Sequence, residues 1–253
     1  MSANSAKVLA ELHRLANPRN VAGMARFGIV GQKLLGVSVV HLRAIAQRTG
    51  RNQGLAGELW ASGILEARIL AAFIAEPAGL TRRQANSWAK DFECWADCDG
   101  LCIHLFRKTP FAHELAVAWS RSRAELVKRA GFTMMATLAV HDKSARNEVF
   151  RRYLTRVHEE AADERHNVKK GVNWALRQIG KRNPILNREA IRMAKRIREE
   201  DSRAARWIAV TLLENYSDGN PDDFQCPEPL CIWTRTLSLR PSNKPPTDRK
   251  SVV

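Results

Sequence analysis

The sequence predicts an all-α fold, an α-solenoid or irregular helical array built from antiparallel helix pairs. Three observations predict it. Apolar residues recur at helical spacing along most of the first 216 positions, and strand-like alternation is nearly absent. Only Pro18, Pro77, Pro110 and Pro184 interrupt those positions, whereas six prolines crowd the last 33. A length of 253 residues suits one compact unit or a short repeat array rather than several large domains.

Taken in order, Val8, Leu9, Leu12 and Leu15 mark a first amphipathic helix, and Leu42, Ile45 and Ala46 mark another. A further helix is read at about 64–75. Thr81 stands three residues before Gln84, and Ser122 three before Glu125. Each is a capping-box spacing, in which side chains satisfy the first free amides of a helix. Later helices are read at about 145–163, 166–182, 187–199 and 201–215. Roughly ten or more short helices in one chain suit antiparallel pairs. No repeat is visible by identity, so the array follows from helix number and order alone. The expected division is a helical domain over 1–216 and a Pro-rich, loosely ordered extension over 217–253.

The chain has 41 basic and 26 acidic residues, a net charge of +15. From Ser217 onward five basic residues balance five acidic ones, so the whole excess lies in the predicted helical body. That distribution points to a charged surface on a folded domain and to an anionic partner, and argues against a scaffold for proteins alone. No apolar run is long enough to span a bilayer, and the N-terminal segment lacks the apolar stretch of a secretory signal. A cytoplasmic protein with no membrane partner is expected.

Two short patterns carry the chemistry. On the helix from Asn167 to Arg182, Val168, Val172, Ala175, Leu176 and Ile179 form the apolar stripe. Trp174 projects away from it, on the side of Lys170, Arg177, Gln178 and Lys181. An indole among cations suits stacking on a sugar or base while the cations hold phosphates. The alternative is that a neighbouring helix covers Trp174. In the second pattern, Trp95 and Asp99 lie four residues apart and share a helix face, while Asp97 points elsewhere. Asp99 borders the stripe of Cys98, Leu101, Cys102 and Leu105, where partial desolvation would strengthen its field.

With these residues in view, the chain resembles the DNA-alkylation-repair glycosylases of the AlkD type. The resemblance rests on Met24-Ala25-Arg26-Phe27 with Leu35-Gly36-Val37 and Leu42-Arg43, on Trp95 with Asp99, and on Lys128-Arg129-Ala130. It rests also on Lys169 to Arg177 with Asn183-Pro184, and covers about residues 5–216. It implies HEAT-like antiparallel helix pairs with a concave basic face that cradles duplex DNA. It implies excision of 3-alkyladenine and 7-alkylguanine by a monomer, with no metal or cofactor and without base flipping. Asp99, Trp95 and Trp174 would be the catalytic residues. Arg129, Lys169, Lys170, Arg177, Lys181, Phe27 and Arg43 would contact DNA. Phe27 stands where the family pattern has Tyr, so any contact through a hydroxyl is absent.

A cationic alkylpurine is already a good leaving group, so one carboxylate that opposes charge on the deoxyribose and orients water can suffice. Competing chemistry is weaker. Cys94, Cys98 and Cys102 line one helix face but lack a fourth metal ligand, and are expected as buried small hydrophobes. Cys226 and Cys231 are not expected to hold a disulfide in the cytosol. His141-Asp142 is expected to end a helix, and Trp60, Trp88, Trp119 and Trp207 to pack between helices. A DNA-structure binder without chemistry remains the alternative on the same scaffold.

Overall fold

The computed structural model describes residues 2–31 and 33–216, with the side chains of residues 215 and 216 left out; the expected extension over 217–253 and its cysteines lie outside the described residues. Within the described residues all regular structure is helical, and there is no strand. It opens with α1 (Ala3–Arg14) and α2 (Pro18–Met24), followed by a 3₁₀ turn at Ala25–Phe27. Then come α3 (Val39–Thr49), α4 (Gln53–Ala61), α5 (Leu65–Ile74), α6 (Arg82–Lys90) and α7 (Trp95–His104). The rest is α8 (Ala112–Ser120), α9 (Glu125–His141), α10 (Asn147–Glu159), α11 (His166–Gly180), α12 (Pro184–Arg198) and α13 (Arg203–Tyr216).

Local chemistry sets these boundaries. Ser2, Asn17, Ser38, Asn52, Thr81 and Asn183 each accept a first-turn amide on their side chain. Pro18 and Pro184 occupy first helical positions, where a missing N–H costs nothing. Three expected boundaries move. The spacing at Ser122 does not form a capping box: Ser122 Oγ takes the amide of Ala124, and α9 starts behind Ala124 with no side-chain cap. Glu125 instead reaches α11, accepting the backbone and side-chain N–H of Asn167. The expected helix over 145–163 stops at Glu159, and the one expected from 187 begins at Pro184.

Helices pack as neighbours in sequence, α4 on α5, α8 on α9, α10 on α11 and α12 on α13. The second members of these pairs, together with α3 and α7, also stack in a row, α3–α5–α7–α9–α11–α13. Consequently α5 and α9 have partners on nearly every side. Residues Leu65–Ala72 of α5 and Lys128–Ala139 of α9 are buried without a break. Close approach needs glycine at one place in particular, because a Cβ on Gly131 of α9 would lie 2.2 Å from the amide nitrogen of Ser120 at the end of α8. Trp60 and Trp88 stack at 4.8 Å between α4 and α6, and Trp119 meets Phe106 edge-on, so these three indoles are packing residues as expected. α9 ends at His141 with Asp142 as its cap.

Candidate functional site

The site begins at the sharp entry into α7. The Asp97 carboxylate accepts the amides of Glu93, Cys94 and Cys98 at 3.0, 3.2 and 2.8 Å and faces the Arg68 guanidinium at 3.5 Å. Burial pushes the Asp97 carboxyl up to about 6, against the pull of those donors. Asp97 therefore shapes the turn, and leaves Trp95 and Asp99 on another face.

Trp95 is half-buried and donates Nε1–H to the Phe27 carbonyl at 2.8 Å. Phe27, half exposed, is carried there by the 3₁₀ turn that ends on Gly28 at φ +69°. The strand-free segment behind it is pinned by buried Glu66, whose carboxylate accepts the amides of Leu35 and Gly36 at 3.0 and 2.6 Å. Gly36 has φ +72°, and a Cβ there would lie 2.4 Å from the Asn17 carbonyl oxygen. The Leu35-Gly36-Val37 motif thus has a steric reason.

Asp99, one turn after Trp95, is 1 % exposed and fully engaged. Arg129 donates to it in a fork, Nε to Oδ1 at 3.0 Å and Nη2 to Oδ2 at 2.7 Å, and Thr133 Oγ1 donates to Oδ1 at 2.8 Å. The remaining Arg129 arm, Nη1, donates to the Asn167 carbonyl at 3.1 Å. Burial would lower the Arg129 guanidinium, but the Asp99 charge outweighs it and holds the group above its ordinary value. A Cβ on Gly171 of α11 would lie 3.5 Å from Arg129 Cγ and 3.3 Å from Phe132 Cβ, so the glycine lets α11 close over the pair. Above this cluster, a cavity of about 400 Å³ opens at the N-terminal ends of α7, α9 and α11, lined in part by Gly28, Val30, Trp95, Glu125 and Asn167.

The structure thus joins Phe27 to Trp95, and Asp99 to Arg129, Thr133 and Asn167. It departs from the sequence reading at three residues. Asp99 lies beneath the surface rather than at a border, and Arg129, 3 % exposed, grips that carboxylate rather than facing a phosphate. The cause is the close stacking of α7, α9 and α11, which encloses both side chains. Arg177 is likewise interior, at 6 % exposed, although its helix position suggested the outer side.

Trp174 is half-buried, one turn past Gly171 on α11. Lys169 and Lys170, also half-buried, set their ammonium groups 5.8 and 5.1 Å from the Trp207 ring of α13. Trp207 is therefore half-buried between α13 and α11, the interhelix position expected of it, with these cations as its partners. Lys181 caps the far end of α11, and Arg43 sits away from Asp99, 6.0 Å from the Phe73 ring. Sequence reasoning missed Thr133, Asn167 and Trp207. Thr133, four residues after Arg129 on one helix, was detectable from spacing; the Asn167 carbonyl was not.

Cys94, Cys98 and Cys102 are buried free thiols. Burial raises the Cys94 and Cys98 thiols, the former to about 12, so the thiol form is favoured. Among the described residues no three His, Cys, Asp or Glu side chains gather as a metal site, and no helix is long and apolar enough to cross a membrane.

Paired helices with a stacked inner row, and an indole and a carboxylate on α7 within that row, define a HEAT-like helical repeat protein with a built polar site. The sequence matches the model of the DNA alkylation repair enzyme family over residues 8–212, and the chain belongs to that family. A solved structure similar to this chain is described as "A new family of proteins related to the HEAT-like repeat DNA glycosylases with affinity for branched DNA structures". The identity is 21%, the TM-score 0.69, and the match covers 83% of this chain and 94% of that one. That likeness supports the HEAT-like fold. A search of the curated proteins gives no match.

Proposed function

We propose that the protein is a monofunctional DNA glycosylase of base excision repair, hydrolysing the N-glycosidic bond of cationic N3- and N7-alkylated purines in duplex DNA. 3-Methyladenine and 7-methylguanine are the substrates meant. The observation that carries this reading is the pairing of Trp95 with Asp99 on α7, with the carboxylate fixed in a bidentate grip by Arg129.

The substrate purine already bears a positive charge, so it departs as a neutral base when the bond to C1′ breaks and takes the bonding pair. Positive charge then develops on the deoxyribose, water adds at C1′, and its proton passes to solvent. Asp99 opposes that charge and orients the water. Trp95 and Trp174 pack their faces against the sugar and backbone, and their π-clouds attract the cationic centre. Lys169, Lys170 and Lys181 hold phosphates, with Phe27 and Arg43 along the path. The base need not leave the stack, in contrast with glycosylases that draw it into a pocket. No metal or cofactor is required, because the leaving group is activated by its own charge.

The enclosed Asp99–Arg129 pair adds a step to this scheme. A phosphate arriving at the groove competes for the Arg129 guanidinium, and a shift of Arg129 toward it frees an Asp99 oxygen for the sugar. Arg129 is then a positioning residue in the free protein and a phosphate ligand in the complex.

The same enclosure favours a second reading, that the protein binds damaged or branched DNA without cleaving it, because every Asp99 oxygen is already taken. Incubating the protein with methylated duplex and scoring free bases separates the two. Release of 3-methyladenine or 7-methylguanine supports the glycosylase; binding to branched or methylated DNA with no release supports the binder.

A further inference from the structure

Asn167 ties two carboxylates together, and one of them lines the cavity beside Trp95. The Asn167 carbonyl takes Arg129 Nη1–H at 3.1 Å, and Arg129 in turn fixes Asp99. The backbone and side-chain N–H of Asn167 donate the other way, both to Oε1 of Glu125, at 3.1 and 2.8 Å. Asp99 is buried, and both of its oxygens are spent on Arg129 and Thr133. Glu125 is half-buried and lines the cavity of about 400 Å³ with Trp95 and Asn167. Its Oε2 accepts no hydrogen bond and forms no ion pair among the described residues. Glu93, the other carboxylate of the lining, is engaged by Arg68 Nη1 at 3.1 Å.

A glutamate in a first helical turn has an ordinary role, since it offsets the positive end of the helix dipole. That role needs no fixed orientation, and exposed Glu114 in the first turn of α8 serves it from solvent. Glu125 differs, because donors forty-two residues away hold one oxygen and leave the other for an occupant of the cavity. A carboxylate there is a poor neighbour for phosphates, and a neutral base gives it no charge to meet. A purine that carries a positive charge does.

We propose that Glu125 is a specificity-determining residue, which discriminates the cationic alkylated purine from neutral bases by its charge at the cavity beside Trp95. The inference rests on the substrate class proposed above and is separable from base excision. When the glycosidic bond breaks, positive charge leaves the purine for the sugar. A carboxylate that favours the charged base therefore strengthens binding without speeding the chemical step. Glu125 selects the lesion, and Asp99 acts on the sugar.

The test uses the full chain and two duplexes that differ only in charge. One carries 7-methylguanine and the other its neutral isostere, 7-deaza-7-methylguanine, both on a 2′-fluorinated sugar that resists bond cleavage. Equilibrium binding is measured for wild type, Glu125→Gln, which keeps an oxygen for Asn167, and Glu114→Gln, an equal charge change in the first turn of α8. Wild type should bind the cationic duplex about tenfold more tightly than the neutral one, and Glu125→Gln should shrink that preference to about threefold or less. Glu125→Gln should bind an unmodified duplex as well as wild type or better, and Glu114→Gln should keep the full preference. Single-turnover release of 7-methylguanine at saturating protein should stay within about threefold of wild type in Glu125→Gln. A preference absent from the wild type, retained in Glu125→Gln or lost equally in Glu114→Gln overturns the proposal. So does an equal loss of affinity for cationic, neutral and unmodified duplexes. A Glu125-dependent preference with no base released by the wild type keeps the selection and removes the glycosylase. Base release with a preference independent of Glu125 does the reverse.

Discussion

Replacing Arg129 with Met should be among the most damaging single changes in the chain. Arg129 and Asp99 are both interior, their side chains 4% and 2% exposed, and the replacement removes two hydrogen bonds to Asp99 and one to the Asn167 carbonyl. Asp99 would keep only Thr133 as a partner. Breaking a buried pair from one side costs about 3–5 kcal/mol, because the surviving charge stays buried without its counterion. Thr133→Val removes one bond to the same carboxylate and should cost about 1.5–3 kcal/mol. Combining Arg129→Met with Asp99→Asn should cost less than the sum, by a coupling of about 1–3 kcal/mol. Guanidinium unfolding followed by tryptophan fluorescence measures the wild type, the three single variants, Asp99→Asn among them, and the double variant. An Arg129→Met loss below about 1 kcal/mol, or strict additivity in the double variant, would refute the reasoning.

Other outcomes follow from the same structure. Gly131→Ala should destabilise by about 1–3 kcal/mol or more, read by thermal melting, since its Cβ would fall 2.2 Å from the Ser120 amide and α8 would have to move off α9. Asp142 is held down to about 2, first by its hydrogen bond from His113 and then by Ser144 and the Ala145 amide. A depressed carboxyl stabilises the fold above its unfolded value near 4 and loses that contribution as pH falls toward 2. Wild type should therefore lose stability between about pH 4 and 2 by on the order of 2 kcal/mol more than Asp142→Asn does, in denaturant titrations at each pH. Trp174→Ala should lower excision more than duplex affinity, and EDTA should leave excision unchanged; restoration by a divalent ion of activity lost in EDTA would count against metal-free chemistry.

The parts of this molecule that were legible in the sequence are those written in local chemistry. Thr81, Asn183 and Pro184 announce helix starts, and the apolar stripe of α11 fixes its buried face. The Trp95–Asp99 spacing marks one face of α7 because four residues make about one turn. What stayed hidden depends on distant segments. Ser122 and Glu125 have the spacing of a cap, yet Glu125 is drawn off to Asn167, forty-two residues away in sequence. Arg177 lies on a helix side that periodicity assigns to the surface, and stacking in the row encloses it. Asp99 was read as a border carboxylate for the same reason, since no local pattern reports that α9 and α11 close over α7.

The central claim is that Asp99 acts on the sugar of an alkylated nucleotide. Its most direct test is single-turnover release of 7-methylguanine from methylated duplex by wild type and Asp99→Asn. Both are assayed at a temperature where circular dichroism shows them folded, alongside equilibrium binding to the same duplex. The account predicts release by the wild type, a fall of about 10²–10³-fold or more in the variant, and duplex affinity unchanged or slightly higher. Equal release by both proteins, or none by the wild type, would contradict it.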